Sequence, residues 1–355
     1  MNILIAAGGT GGHITPGIAI ANALKDDGNE VLFVGTKKGM EVDLVPKAGY
    51  DIKFIHAKGL TRGLKAKIEA GIELLKGIKD VRRIIRENKI DLVIGTGGYV
   101  TAPAIIAGLK EHIPTMIHES NALPGKTTKL LASKVDVVAL GFKEAITKLP
   151  NAKNAVFTGN PTKIKNNLSK LEVKNRLNIN KKMVLVFGGS QGAKKLNDVM
   201  VELINNLSDE DYEIIYATGP KNYDDIVARI TNDSSNVKVE KYIYNMDEVM
   251  FAADLAVCRS GALTVTELGI VGLPAILIPF PYAAENHQYY NAKTIEDSGA
   301  GVIIEEENLT TNNLKSKIDE LINDDEKLAN MAKCASKSEM KNAISNIMNE
   351  VKKIV

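Results

Sequence analysis

Residues 259–292, RSGALTVTELGIVGLPAILIPFPYAAENHQYYNA, hold the densest set of groups that could handle a charged, hydroxylated ligand. The apolar run Asp254–Cys258 reads as a buried strand, followed by an Arg-Ser-Gly turn and an amphipathic helix beginning near Ala262. The first N–H groups of a helix lack intrahelical partners and its dipole favours negative charge, so this turn suits an anion. Glu267 lies one turn into the helix, and His287 and Gln288 follow on the next one. A carboxylate and two polar side chains near a bound phosphate suggest a nucleotide, or a nucleotide-sugar. Thr264-Val-Thr-Glu267 also fits a capping box, in which the glutamate only stabilises its own helix. Spacing alone leaves both readings open.

Three glycine loops follow predicted strands: Gly8-Gly9-Thr10-Gly11-Gly12-His13, Gly97-Gly98-Tyr99 and Gly188-Gly-Ser-Gln-Gly192. Glycine lets a backbone turn tightly and approach a ligand closely. The first loop departs from the dinucleotide fingerprint, because counting from Gly9 the sixth residue is Ile14. Pro124-Gly-Lys-Thr127 departs from a P-loop, because Ser120 stands where the first glycine is required. His13 sits where a neutral imidazole could take a proton from a hydroxyl, and a turn-capping histidine is the plainer reading. His118-Glu119-Ser-Asn121 could orient an acceptor hydroxyl, with Glu119 a second base candidate; helix capping before Pro124 is the plainer reading there. A metal-dependent sugar transferase would want Asp-x-Asp just after a strand. Asp209-Glu-Asp211 instead lies on a polar linker and reads as a solvated turn, so no metal is expected. Helix N-termini and cations would then stabilise a leaving diphosphate.

These residues need a scaffold. Apolar runs of four to six residues alternate with helical patterns along all 355 residues. The runs are Asn2–Ala7, Val31–Val34, Ile52–Ile55, Leu92–Gly95, Thr115–His118, Val135–Leu140 and Ala155–Thr158. In the second half they are Met183–Phe187, Glu213–Tyr216, Val237–Glu240, Leu255–Cys258, Ala275–Ile278 and Gly301–Ile304. This rhythm predicts an α/β protein with parallel sheets covered on both faces. Each half opens with a strand, a glycine loop and a helix, which predicts two Rossmann-like domains, residues 1–161 and 162–337. The last helix, about 338–355, packs on one or the other. Ligands of such sheets sit at the strands' carboxyl ends, which predicts a central cleft.

Cys258 and Cys334 form no motif and suit a reducing compartment, five histidines show no metal-ligand spacing, and the N-terminus enters a strand with no signal-peptide pattern. Charge is uneven: residues 1–161 carry 22 Lys and Arg against 15 Asp and Glu, and residues 162–355 carry 23 against 28. That favours an anionic surface facing the first half. Between Gly59 and Lys89, one stripe is Leu64, Ile68, Ile72 and Leu75, and another is Leu74, Ile78, Val81 and Ile85. One stripe should face the core. The other, flanked by Lys65, Lys67, Lys76, Lys79, Arg82 and Arg83, would suit an anionic lipid surface. No aromatic-interleaved basic groove points to nucleic acid.

Together these motifs resemble the MurG family. The resemblance runs nearly end to end: GGTGGHITPG at 8–17, GGYVTAP at 97–103, HESNALPG at 118–125, GNP at 159–161, GGSQGA at 188–193, CRSGALTVTE at 258–267, and PF followed by HQYYNA at 279–292. It implies a GT-B fold and an inverting, metal-independent transfer of N-acetylglucosamine from UDP-GlcNAc to the C4 hydroxyl of undecaprenyl-pyrophosphoryl-MurNAc-pentapeptide, at the cytoplasmic face of the cell membrane. It implies that Ser190, Ala262, Leu263 and Thr264 approach the diphosphate, that the Ile243 backbone meets uracil, that Glu267 holds the ribose diol, and that Gln288 binds sugar hydroxyls. Thr10, Gly11, Gly12, His13, Tyr99, Glu119 and Asn121 would line the N-domain face where reaction occurs. Of these, Thr10, Gly11, Gly12 and Asn121 would also serve the donor, and Tyr99, Glu119 and Asn121 the acceptor. His13 is the first choice of base and Glu119 the second. Two departures stand out. Lys163 replaces the family's usual Arg and loses its bidentate fork, and Tyr216-Ala-Thr-Gly-Pro220 replaces a His-containing motif. The alternatives are a GT-B enzyme with another acceptor, or a sugar-nucleotide-binding protein without turnover.

Overall fold

The structure is a computed structural model. It describes all residues except 60–62, 163, 165–168, 190–191, 209 and 337–338, and all side chains of the rest except those of 64, 339 and 340. The chain divides into two compact units, Met1–Thr162 with Met340–Val355, and Lys163–Glu339. The first unit holds β1 (Asn2–Ala6), β2 (Glu30–Gly35), β3 (Ile52–Phe54), β4 (Leu92–Gly95), β5 (Thr115–Glu119), β6 (Val137–Leu140) and β7 (Ala155–Phe157). The second holds β8 (Lys182–Phe187), β9 (Tyr212–Ala217), β10 (Val237–Glu240), β11 (Leu255–Cys258), β12 (Ala275–Leu277) and β13 (Gly301–Ile303). The apolar runs read from the sequence all become strands, with ends moved by at most two residues.

Both sheets are parallel, ordered β3-β2-β1-β4-β5-β6-β7 and β10-β9-β8-β11-β12-β13. The order reverses between β1 and β4, and again between β8 and β11. Connections diverge at such a reversal and leave a crevice at the carboxyl ends of the strands. The segments leaving these four strands are the three glycine loops and the Arg-Ser-Gly turn. The fold therefore puts the chemistry-bearing segments of each unit together.

Side chains alternate across each strand. In β1, Leu4 and Ala6 face a core with Val93, Ile117 and Val138, while Ile3 and Ile5 face another with Ile20, Leu24 and Ile94. The inner strands β4, β6, β11 and β12 carry no polar side chains because both faces are covered. Each fully buried Ile or Leu contributes about 1.5–3 kcal/mol of transfer free energy. The helix Ala343–Ile354 packs on the first unit: Ile347 and Val351 are buried with Ile3 and Ile5, and Asn346 Nδ2 donates to the Thr158 carbonyl at 3.1 Å.

The helix Leu64–Glu87 separates its two stripes. Ile78, Val81 and Ile85 are buried, whereas Ile68, Ile72 and Leu75 are 58%, 49% and 67% exposed. The side chain of Leu64 lies outside the described residues. Three of the six cations expected to flank the exposed stripe are already paired. Arg82 binds Glu111 at 2.6 Å alongside Arg86, Lys76 binds Glu73 at 2.8 Å, and Arg83 is 3.9 Å from Glu87. Lys65, Lys67 and Lys79 have no ion-pair partner among the described residues.

Candidate active site

In the first unit, Gly8–Thr10 leads directly from β1 into the helix Gly11–Asp26, with Thr10 at its N-cap. His13 is the third helical residue. Its Nδ1 lies 3.2 Å from the Gly8 carbonyl oxygen, and its own carbonyl accepts Thr96 Oγ1 at 2.8 Å. The second contact ties the end of β4 to the start of this helix. The imidazole packs against Gly97, where a Cβ would stand 2.5 Å from His13 Cδ2. Gly97 also has φ +115, so two constraints demand glycine there. Tyr99 follows, its hydroxyl 3.2 Å from Thr36 Oγ1. Thr10, His13 and Tyr99 thus belong to one cluster at the switch point.

Glu119 ends β5 and is buried. Its Oε1 accepts the Asn121 backbone N–H at 3.1 Å and Asn121 Nδ2 at 3.2 Å, and its Oε2 accepts the Gly125 N–H at 2.9 Å and Thr128 Oγ1 at 2.7 Å. A carboxylate has about four lone-pair sites, and all four are committed to its own loop. His118 is fully buried and donates from Nε2 to the Gly159 carbonyl at 3.3 Å. Burial pushes its pKa down, against the opposing hydrogen bond and the nearby Glu119 charge. His118 is a neutral internal brace, whereas the sequence left open a role for it in orienting an acceptor.

The second unit contains a cavity of about 490 Å³, a volume suited to a small molecule. Phe187, Gly189, Ile243, Asp247, Thr264 and Glu267 are among its lining residues. Ile243 buries its side chain between the exposed Tyr242 and Tyr244, whose rings stand 5.0 Å apart. The helix Ala262–Val271 starts after Gly261, which makes Glu267 its sixth residue. A capping box needs the glutamate at the third position, so helix geometry removes that reading. Burial pushes the Glu267 pKa up to about 7, with the charge of Asp247 adding to the effect.

Gln288 does not line the cavity. It is the second residue of the helix His287–Asp297, its Oε1 accepting the Phe280 N–H at 3.0 Å. Ser260 Oγ donates to the Gln288 carbonyl at 2.8 Å, and Asn291 Nδ2 donates to the Ser260 carbonyl at 3.2 Å. These bonds latch the Gln288 helix to the turn that precedes Ala262 and Leu263. Arg259 reinforces the latch: its guanidinium donates to the carbonyls of Ile278 and Pro279 at 3.1 Å, pairs with Glu306 and stacks on Phe280. Among the described residues, no three His, Cys, Asp or Glu side chains gather as a metal-ligand group.

Sequence reasoning missed several of these groups. Glu41 is fully buried and bonds to Gly9 and Thr36, yet it stands 32 residues from the first glycine loop. Glu306 and Asp247 were likewise invisible as partners of Arg259 and Glu267. The one available signal for Glu41 was Gly35 and Gly39, two glycines just before it that open space for a side chain. Lys163, Ser190 and Asp209 lie outside the described residues.

Both halves of the chain match known domains: residues 3–140 match the glycosyltransferase family 28 N-terminal domain, and residues 183–347 its C-terminal domain. The UDP-N-acetylglucosamine–N-acetylmuramyl-(pentapeptide) pyrophosphoryl-undecaprenol N-acetylglucosamine transferase of Acetivibrio thermocellus is 43% identical, covering 100% of this chain and 98% of that protein. The enzyme of the same name from Clostridioides difficile is 39% identical, covering 100% and 89%. The crystal structure of Acinetobacter baumannii MurG superposes with a TM-score of 0.82 at 30% identity, over 99% of each chain. A glycosyltransferase of Streptomyces sp. SF2575, solved with thymidine diphosphate, shares the fold alone, with a TM-score of 0.67 at 15% identity over 99% of each chain. Matched over its whole length by sequence and by fold, the chain belongs to the MurG family of GT-B glycosyltransferases.

Proposed function

We propose that this chain transfers N-acetylglucosamine from UDP-N-acetylglucosamine to the C4 hydroxyl of undecaprenyl-pyrophosphoryl-N-acetylmuramyl-pentapeptide, the lipid I to lipid II step of peptidoglycan synthesis. The carrying observation is full-length kinship to transferases of that name, joined to a donor-sized cavity that contains Glu267. In this reading the Ile243 backbone meets uracil and Glu267 accepts hydrogen bonds from the ribose diol. The first N–H groups of the helix Ala262–Val271 receive charge on the diphosphate. Gln288, held by the Ser260 latch, meets sugar hydroxyls.

His13 serves as general base. It takes the proton of the acceptor C4 hydroxyl while that oxygen bonds to C1 of the sugar from the face opposite UDP. The C1–O bond to UDP breaks with its electron pair, UDP departs as the anion, and the anomeric centre inverts. Glu119, with its oxygens committed to loop 119–128, holds Asn121 and the loop in place rather than taking the proton. Tyr99 and Asn121 orient the acceptor, and Thr10, Gly11 and Gly12 meet the substrates from the first helix start. The reaction draws on no metal in this account. The exposed stripe Ile68, Ile72 and Leu75, with Lys65, Lys67 and Lys79, rests on an anionic membrane surface. In this reading the association is peripheral; no helix among the described residues is long and apolar enough to cross a membrane.

The test is transfer from UDP-GlcNAc to a lipid I analogue, followed by disaccharide product and UDP release. Product that forms equally with and without chelator supports this account. Binding of UDP-GlcNAc without product would leave only a sugar-nucleotide-binding protein, and loss of product in chelator would sink the metal-free mechanism.

A further inference from the structure

Glu41 is a buried carboxylate that belongs to no ligand site. It opens the helix Glu41–Lys47 and has no solvent exposure. Its Oε1 accepts the Thr36 N–H at 2.9 Å and Thr36 Oγ1 at 3.0 Å, and its Oε2 accepts the Gly9 N–H at 2.9 Å. Three donors on two oxygens is the pattern of an ionised acid. The surrounding backbone has been cleared for it. A Cβ on Gly8 would lie 3.0 Å from Glu41 Oε1, one on Gly35 would lie 2.5 Å from Glu41 Cγ, and one on Gly39 would collide with the carboxylate.

The Gly9 N–H belongs to the same peptide group as the Gly8 carbonyl. That carbonyl is the group 3.2 Å from His13 Nδ1. A carbonyl oxygen only accepts, so Nδ1 carries the proton and Nε2 carries the lone pair. One peptide therefore stands between a carboxylate and an imidazole, hydrogen-bonded to each at opposite ends. A negative acceptor on the N–H end polarises the amide and strengthens its carbonyl as an acceptor, as in other hydrogen-bonded chains of low dielectric. In serine hydrolases a carboxylate touches the histidine directly, fixes its tautomer and stabilises the imidazolium. Here the same two tasks pass through a backbone amide.

We propose that Glu41 is a positioning residue for the transfer reaction: through the Gly8–Gly9 peptide it holds His13 as the Nε2 base and stabilises the imidazolium formed when the acceptor hydroxyl loses its proton. Through Thr36 the same carboxylate also sets Tyr99, whose hydroxyl is 3.2 Å from Thr36 Oγ1. One buried charge thus sits behind both the base and a residue that orients the acceptor. The inference rests on the reading of His13 as base.

Two measurements test it. In the unaltered full-length enzyme labelled with ¹⁵N-histidine, the His13 signals, assigned by their loss in His13→Gln, should show the neutral ring protonated at Nδ1. A neutral ring protonated at Nε2 would overturn the proposal whatever the variants do. Second, Glu41→Gln keeps the shape and removes the charge. Its kcat should fall about tenfold, a part of the 10²–10⁴ expected of a general base, with the KM for UDP-GlcNAc unchanged. The acid limb of its kcat–pH profile should move to lower pH, because the imidazolium loses its anionic support. A profile superimposable on the parent's, while His13→Gln is inactive, would remove Glu41 from the mechanism and leave His13 as base. Full turnover by His13→Gln would overturn the base assignment itself.

Discussion

Glu267 shows how one residue's surroundings set a measurable property of the enzyme. It starts from an ordinary carboxyl pKa of 4.5, and burial raises it to about 7 with help from Asp247. The fold therefore keeps the proton in a range where the unfolded chain has lost it. Stability from this group falls as pH rises from 4.5 and is fully lost above about 7. If Glu267 accepts from the ribose hydroxyls as proposed, donor affinity should run the other way, because they donate to the ionised form. Affinity for UDP-GlcNAc should rise about five- to tenfold between pH 6 and pH 8, the difference between a neutral and a charge-assisted hydrogen bond. Calorimetric titration checks this, and in Glu267→Gln the pH dependence should vanish with affinity fixed near the low-pH value. A slope that survives in the variant would assign it to another group. The sequence left Glu267 suspended between ribose binding and capping. The helix start near Ala262, read from the sequence and found there, puts Glu267 at the sixth position and removes capping, and ribose binding stays a proposal for the titration to test.

At the scale of elements, the helix Leu64–Glu87 carries the clearest division of labour. Its inner face is core, and its outer face keeps three large aliphatic side chains in water. Glu111 draws two arginines, Arg82 and Arg86, onto the neighbouring helix Thr101–Lys110 and its end, and they hold its carboxyl down at about 2. Those cations anchor the helix, and the proposed lipid contact is left to Lys65, Lys67 and Lys79. The double variant Ile68→Glu/Leu75→Glu should lose binding to vesicles containing anionic phospholipid, while turnover with a short-chain soluble acceptor stays within about twofold, since exposed substitutions rarely perturb the fold. Sedimentation with vesicles across a salt series reads both the apolar and the ionic parts. Unchanged binding would discard this face as the docking surface. Much of this level was legible beforehand. Strands buried on both faces leave unbroken apolar runs, and a two-stripe helix leaves two periodic sets. The assignment of Arg82 to a core-side ion pair was not legible, because Glu111 lies 29 residues away and only the packing of two helices brings them together.

The molecule as a whole is two Rossmann-like units with separate cores, and Glu267 and the other residues proposed to hold the nucleotide lie in the second while His13 and Tyr99 lie in the first. A ligand stabilises what it binds. Saturating UDP at about a hundred times its Kd should raise the stability of the second unit by about 2.7 kcal/mol, shifting one thermal transition and leaving the other. Ile347→Ala should do the reverse. It removes a fully buried side chain from the first unit at a cost of about 2–5 kcal/mol, while UDP affinity is retained. A single transition that moves equally in both experiments would show that the units unfold as one. The helix carrying Ile347 has a further consequence, which concerns synthesis. The ribosome makes the first 162 residues early and residues 340–355, which complete their core, only after the second unit. At about 5–20 residues per second, roughly 10–40 s pass between the two. Through that interval the nascent first unit holds the apolar surface awaiting Ile347 and Val351 uncovered, and that part of its core closes only once the helix Ala343–Ile354 has left the exit tunnel.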